Sequence, residues 1–327
     1  MEIYQTLYKK NKRKLTNWII ITEPEDFSVK ALELLKKQGE VIMLTSLSEL
    51  EIYIEIANVL MIRLGVMWNS TMLAKAPKLR YILTPTTGLD HIDLNYTDKF
   101  GIKVISLKGE QTFLNSIPST AEHSMALILA LMRKLIPAHE HVLQDGWDRQ
   151  AFRGNNLKGK KFGILGFGRI GHQMAEYALA FGMKVSAYDP CSNYNNDNVD
   201  FKNDPIELFS DSDIIGIHIP MNEKNRNFIS ADLLKSAKKG LILINTSRGG
   251  VWDEIAVGDC IVNKTLGAIA TDVIDNEMEP ELRVKSKLIE LAKAGYPVLI
   301  TPHIGGATFE SMHETEEFIA QKFIEQI

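Results

Sequence analysis

Short runs of β-branched and aliphatic residues alternate along the chain with longer segments whose apolar positions recur every three or four residues, the pattern of βαβ units built on parallel sheets. The runs form two series. Trp18 to Ile21, Val41 to Leu44, Val59 to Ile62 and Tyr81 to Leu83 predict the strands of a small unit, with a helix over Ser28 to Gln38. Phe162 to Leu165, Val185 to Tyr188, Ile214 to Ile219, Leu241 to Asn245, Ala268 to Thr271 and Val298 to Thr301 predict six strands of a second, doubly wound unit. Between the series, Ser119 to Leu135 is apolar on nearly every face, which predicts a buried helix where the chain crosses from one unit to the other. Phe309 to Ile327 is amphipathic and has no strand after it, so it is expected to pack back on the first unit.

Composition narrows what these units do. With 37 basic and 41 acidic side chains the net charge is −4, which leaves no surplus to hold a polyanion, so nucleic acid and anionic membranes are set aside as partners. The basic run Lys9 to Lys14 reads as a solvated tail, and the Asn-rich stretch Asn193 to Asn198 as a loop. The longest strongly apolar stretch, Met125 to Met132, is far short of the roughly 20 residues a bilayer span needs. Trp18 to Ile21 is too short for a signal-peptide core, so a cytoplasmic protein is expected. Cys191 and Cys260 lie far apart, which fits a reducing compartment and argues against a disulfide framework or a zinc ribbon; no metal site is expected.

The most informative string is Gly166-Phe167-Gly168-Arg169-Ile170-Gly171, which follows the strand Phe162 to Leu165 and opens a helix through Phe181. Gly166 permits the sharp turn, Gly168 lets a pyrophosphate approach the backbone, and Gly171 lets helix and sheet pack closely. The free amides at the helix start, those of Arg169 and Ile170 included, then bind the phosphates. Such a string also serves as a tight turn with no ligand, and the next strand separates the two readings. It ends in Asp189, and 189 − 171 = 18 places an acid where the adenosine ribose should sit. A carboxylate there accepts from the 2′-hydroxyl and repels a 2′-phosphate. Pro190 to Asn196 offers no Lys or Arg to welcome one, so NAD is expected over NADP.

Further strings appear in consistent order: Leu157-Lys158-Gly159-Lys160, Ala180-Phe181-Gly182-Met183-Lys184-Val185, Asp213 to Pro220, Ile244-Asn245-Thr246-Ser247-Arg248-Gly249-Gly250, and Thr301-Pro302-His303-Ile304-Gly305-Gly306. With them the chain, from about Arg63 to Ala307, resembles the D-isomer-specific 2-hydroxyacid dehydrogenases, the family of D-lactate, glycerate and phosphoglycerate dehydrogenases. The resemblance implies an α/β protein of two doubly wound parallel-sheet domains. A Rossmann NAD-binding domain, residues 117–306, is inserted into a flavodoxin-like substrate domain, residues 1–116 and 307–327, with the active site in the cleft. It also implies the short form of the family, without a C-terminal regulatory domain. A homodimer is expected through the crossing helix and the arm from Ala138 to Gly154, where Trp147 and Phe152 are either anchors or core.

Hydride transfer between a nicotinamide and a 2-hydroxy or 2-keto acid needs an acid/base, a cation for the carboxylate and a held cofactor. By the resemblance, His303 is the acid/base and Arg248 the clamp, whose planar fork meets a carboxylate bidentately. A Glu hydrogen-bonds the His and favours its imidazolium. In the family that Glu lies at a set interval after the Arg and usually directly before a Pro, and here the two criteria part. Glu277 keeps the interval, 277 − 248 = 29, whereas Glu279 precedes Pro280; Glu277 is preferred because the strand ending at Asp272 sets the register. Asp272 is expected at the nicotinamide carboxamide, with His218, Pro220 and Thr246 along the cofactor wall, while Met and Leu of Ser119 to Leu135 are packing. Arg63 and the turn Thr86-Thr87-Gly88-Leu89-Asp90 match family positions that hold the substrate's acid group.

Thr120, Trp252 and the long interval from Glu277 to His303, 303 − 277 = 26, depart from the family pattern near the substrate. The substrate is therefore left open among 2-hydroxy acids, phosphoglycerate-type ones included, although Arg63 is the one cation identified for a phosphate. The alternative from another class is an NADH-sensing, corepressor-like binding protein on the same fold. Formate- or phosphite-like oxidation is disfavoured, because outside the shared motifs the chain is closer to the hydroxyacid members.

Overall fold

The computed structural model describes residues 17–191 and 196–327; the basic run Lys9 to Lys14 and the first residues of the Asn-rich stretch lie outside the described residues. The chain divides into two compact units, one of residues up to Glu110 together with Phe309–Ile327, the other of Gln111–Thr308. Residues 111–116, expected in the first unit, lie with the second, because the helix Arg169–Ala180 holds this segment by its carbonyls. Arg169 Nη1 donates to Leu114 O at 3.2 Å and Ile117 O at 2.9 Å, and Gln173 Nε2 donates to Asn115 O at 3.3 Å and Ile117 O at 3.2 Å.

In the first unit β1 (Asn17–Ile21), β2 (Gly39–Met43), β3 (Val59–Met61), β4 (Tyr81–Thr84) and β5 (Lys103–Ser106) form a parallel sheet in the order β2-β1-β3-β4-β5. That is a flavodoxin-like order, whose direction reverses between β1 and β3. Alternation along the strands sends Ile20, Leu60 and Ile82 into one core with Trp68, all without exposure. The helix Val29–Lys36 begins where Ser28 Oγ accepts from the Ala31 amide. The terminal helix Phe309–Ile324 packs on it and on β4, with the buried Phe323 ring edge-on to Tyr81 at 5.2 Å.

In the second unit β6 (Lys161–Leu165), β7 (Lys184–Tyr188), β8 (Val199–Phe201), β9 (Ile214–Ile217), β10 (Leu241–Asn245), β11 (Leu266–Thr271) and β12 (Val298–Ile300) pair in parallel. Their order is β12-β11-β10-β9-β6-β7-β8, a Rossmann arrangement that reverses between β6 and β9. Phe162, Ile164, Ile214 and Ile244 face one helical layer, which includes Ser119–Arg133 and Arg169–Ala180; Leu165, Ile215, Ile217 and Leu243 face the other. Trp252, a departure from the family pattern, is buried in that second layer.

Two strands escape the hydrophobic pattern, and both are sheet edges. Lys103–Ser106 and Val199–Phe201 are short and interrupted by polar residues, Lys103 and Ser106 in one and Asp200 in the other, so among the described residues six predicted strands become seven in the second unit. The helix predicted over Ser119 to Leu135 ends at Arg133, because Lys134 turns into the left-handed region at φ 52°, and a second helix runs over Leu135–Leu143. Beyond it Trp147 stands 88% exposed, so it is not core, whereas Phe152 is half-buried with its ring 5.0 Å from His141. Replacing Phe323 by Ala is expected to destabilise the protein by about 3–5 kcal/mol through the cavity left under Tyr81. Urea unfolding followed by Trp fluorescence measures this, and a loss below about 1 kcal/mol would contradict the packing described.

Candidate functional site

The crevice of a doubly wound sheet opens beyond the carboxyl ends of the strands where their order reverses, which in the second unit is between β6 and β9. The loop after β6 is shaped by three glycines, each for its own reason. Gly166 takes φ +94°, and a Cβ there would stand 2.8 Å from the His218 carbonyl; a Cβ on Gly171 would collide with the Gly166 carbonyl. A Cβ on Gly168 would meet nothing within 4 Å, so the empty space above it is a cradle rather than a packing requirement. The helix Arg169–Ala180 starts there, and its first amides have no intrahelical partner.

Asp189, after β7, is fixed toward this loop. Its Oδ2 accepts from the Phe167 amide at 2.8 Å and its Oδ1 from the Cys191 amide at 2.9 Å, which leaves lone pairs for a sugar hydroxyl. Arg169 turns its guanidinium to Leu114 and Ile117, where burial pushes it below its ordinary value, so its share in the cradle is its backbone amide. Ile170 packs against the core. The His218 ring lies back along β9 over Gly216, near the Phe162 ring, with Nε2 buried and unpartnered; burial pushes it down to about 3, so it is neutral. It is the His218 carbonyl that walls the glycine loop, with Pro220 exposed beyond it. Thr246 Oγ1 lies 2.7 Å from Ser124 Oγ, which donates to the Thr120 carbonyl at 2.7 Å.

Across the sheet, Asp272 follows β11 with 2% of its surface exposed. Its Oδ1 accepts from Thr301 Oγ1 at 2.6 Å and the Ile304 amide at 2.9 Å, and its Oδ2 from the Gly305 amide at 2.7 Å. His123 Nε2 lies 3.3 Å from Oδ1 and 3.0 Å from Thr301 Oγ1. Burial alone would raise the Asp272 carboxyl, but the bonds from His123, Thr301, Ile304 and Gly305 outweigh it and hold the group below the ordinary carboxylate value. The carboxylate expected at the nicotinamide carboxamide is thus already met by four groups of its own unit, and it holds the loop after β12 in place.

His303 sits on that loop at φ 56°, with its amide shared between Asp272 O at 2.8 Å and Thr301 O at 3.1 Å. Its Nδ1 pairs with Glu277 Oε1, leaving Nε2 as the nitrogen for other work. Glu277 Oε2 accepts from the Ile274 amide at 3.3 Å, and Arg283 Nη1 donates to the Glu277 carbonyl at 3.1 Å. Glu279 is exposed before the helix Pro280–Arg283, so the spacing, and not the neighbouring proline, identifies the acid that meets the histidine. Arg248 leaves β10 on a turn built by the buried Asn245. Asn245 Oδ1 accepts from the Ser247 amide at 3.0 Å, and its Nδ2 donates to Arg248 O at 3.0 Å. A Cβ on Gly249 would collide with the Ile274–Asp275 peptide, so the Arg248 turn is pressed against the segment that leads to Glu277.

In the first unit Arg63 is engaged by its own unit. Its Nε donates to Glu316 Oε1 at 3.0 Å, Nη2 pairs with the same oxygen, and Nη1 donates to Glu25 O at 2.9 Å. The Gly88 carbonyl accepts from Thr86 Oγ1 at 2.9 Å. Sequence reasoning passed over His123, which stands between Glu122 and Ser124 in the polar first turns of its helix, and Glu316, a carboxylate without exposure inside an amphipathic pattern. Among the described residues no three potential ligands stand together as a metal set, Cys191 and Cys260 are unpaired, and no helix is long and apolar enough to cross a membrane.

The sequence profile described as D-isomer specific 2-hydroxyacid dehydrogenase, NAD binding domain, matches residues 125–305. A hydroxypyruvate reductase of Thermotoga maritima is 34% identical over 270 residues, 83% of this chain and 85% of that protein. A D-3-phosphoglycerate dehydrogenase of Methanocaldococcus jannaschii is 32% identical over 311 residues, 93% of this chain and 56% of that protein, so the chain spans little more than half of it. The crystal structure of D-lactate dehydrogenase from Aquifex aeolicus complexed with NAD and lactic acid matches with a TM-score of 0.79 at 28% identity, over 95% of this chain and 96% of that one. The second unit is accordingly an NAD-binding domain, and the open space at Gly168, the helix start and Asp189 fit that cofactor.

Gly168→Ala and Gly171→Ala should therefore separate. The first fills the cradle and is expected to raise the Kd for NADH at least about tenfold with the melting temperature unchanged, a loss of about 1.4 kcal/mol of binding. The second lowers the melting temperature itself; equal melting of both variants would contradict the two roles. Asp272→Asn probes the loop by pH. The folded-state value of Asp272 is depressed, so its contribution is present above the unfolded value of 3.8 and is lost as pH falls below it. The stability gap between wild type and variant, from urea titrations at several pH values, is expected to be constant near neutrality and to close in acid.

Proposed function

We propose that this chain, which belongs to the D-isomer specific 2-hydroxyacid dehydrogenase family, is an NAD-dependent oxidoreductase that interconverts a D-2-hydroxy acid and its 2-keto acid. The observation that carries the reading is the pairing of His303, on the loop that Asp272 clamps, with Glu277, on the segment against which the Arg248 turn is packed. The bound nicotinamide supplies or accepts the hydride. His303 holds the proton at Nε2, because Nδ1 belongs to Glu277, and passes it to the carbonyl oxygen or takes it from the hydroxyl according to direction. Glu277 fixes the ring and balances the charge of its protonated form. Arg248 offers its fork to the substrate carboxylate. Asp189 accepts from the adenosine ribose and repels a 2′-phosphate, which selects NAD over NADP.

On this reading the first unit is the substrate domain, with Arg63 and the Gly88 turn on the substrate side, and the second is the nucleotide domain. The exposed Leu143 and Trp147 on the arm after the crossing helix support a homodimer, and the two unpaired cysteines support a reducing, cytoplasmic setting.

A panel of 2-keto acids, scanned for NADH consumption against an NADPH control, tests the reaction class. His303→Ala is expected to lower kcat by about 10²- to 10⁴-fold with NADH binding retained, the range of a lost acid/base. Glu277→Gln is expected to fall between it and wild type. Unchanged turnover in His303→Ala would remove the assignment. A protein that binds NADH and another macromolecule but reduces none of the panel would favour the corepressor-like alternative.

A further inference from the structure

The same fold rule that locates the nucleotide crevice locates a second one in the first unit, beyond the carboxyl ends of β1 and β3. The loops that leave these strands carry Glu23 and the stretch Arg63-Leu64-Gly65. Nearby loop amides with an arginine beside them make an anion receptor, since the N–H groups converge and the guanidinium adds charge. Here that receptor is filled by the chain itself. Glu23 Oε2 accepts from the Arg63 amide at 2.8 Å and Oε1 from the Gly65 amide at 2.6 Å, while Thr22 Oγ1 donates to Oε2 at 3.0 Å. The Arg63 guanidinium points elsewhere, to Glu316 and the Glu25 carbonyl, and Glu316 also accepts from the Ser28 amide at 2.8 Å. Glu23 thus holds the two amides and Glu316 the guanidinium, so both the amides and the cation are met by carboxylates of the chain before any ligand arrives.

We propose that Glu23 is a specificity-determining residue: it occupies, as a built-in anion, the receptor at the switch point of the first unit, and so confines the substrate to 2-hydroxy and 2-keto acids without a second strongly anionic group such as a terminal phosphate. This rests on the dehydrogenase reading above and names the substrate class within it. A phosphate taking the two amides must displace Glu23 from its charge-assisted hydrogen bonds to them and then lie beside the displaced carboxylate. A hydrogen, methyl or hydroxymethyl substituent meets neither obstacle. Arg63 does not offset the repulsion, because its charge is already neutralised by the buried Glu316.

The test compares NADH-dependent reduction of hydroxypyruvate and 3-phosphohydroxypyruvate by wild type, Glu23→Gln and Glu23→Ala. Wild type is expected to favour hydroxypyruvate in kcat/KM. Both substitutions are expected to raise the ratio of phosphorylated to unphosphorylated kcat/KM at least about tenfold, on the scale of one hydrogen bond to a charged group. The change should lie in KM for the phosphorylated compound, whereas a loss of folding would lower kcat for both. A wild type that prefers 3-phosphohydroxypyruvate, or variants that keep the wild-type ratio, overturns the proposal. Calorimetric titration with 3-phosphoglycerate reads the same contrast without turnover: the variants gain binding that wild type lacks, and equal binding by all three overturns the role of Glu23. A protein that reduces no 2-keto acid instead removes the dehydrogenase reading, and the titration still decides whether Glu23 guards the receptor.

Discussion

A carboxylate with almost no access to water must find its donors inside the protein, and the donors that Asp272 finds decide where His303 stands. Thr301, Ile304 and Gly305 all come from the loop after β12, so the loop wraps around one side chain. The Asp272 carbonyl takes the His303 amide as well, which holds His303 in a left-handed conformation that costs a non-glycine residue roughly 1–2 kcal/mol. In that conformation the imidazole reaches Glu277. The His303–Glu277 pair, proposed as the acid/base, is therefore a consequence of how a buried charge is satisfied three strand-ends away from the glycine loop.

The same device recurs at each place where a ligand is expected. Glu23 follows β1 and takes amides of the loop after its neighbour β3; Asp189 follows β7 and takes an amide of the loop after its neighbour β6; Asp272 follows β11 and takes amides of the loop after its neighbour β12. In a parallel sheet all strands end at one edge, so an acid at the end of one strand is within reach of the amides that leave the next. The outcomes differ through solvent access and neighbours. Asp189 keeps free lone pairs for a sugar, Asp272 spends its capacity on a loop, and Glu23 fills a receptor that its own chain has built.

Much of the candidate site was legible from residue types and spacing. The glycine string, Asp189, Arg248 and His303 each follow a strand whose apolar run is unmistakable, so their register is set by the strand. Glu277 was distinguishable from Glu279 because it keeps its distance from Arg248, even though two added residues moved the proline. Less was legible where the deciding partner is distant in the chain. The edge strands β5 and β8 are short and broken by polar residues, Lys103 and Ser106 in one and Asp200 in the other, so neither shows a continuous apolar run. His123 reads as one of several polar residues at the start of its helix until the helix Ser119–Arg133 is laid against Thr301 and Asp272. Arg63 reads as a free cation until Glu316, 253 residues later, is brought beside it.

The alternation of apolar runs and amphipathic segments by itself determined two doubly wound units and the identity of the groups at their strand ends, because those features depend on neighbours only a few residues away. Which of those groups remain available for a ligand was decided by the tertiary structure alone. Availability depends on whether a charge finds an opposite charge or a cluster of amides across the fold, and the chain order of Asp272 and Thr301, or of Glu23, Arg63 and Glu316, says nothing of that until the strands stand side by side.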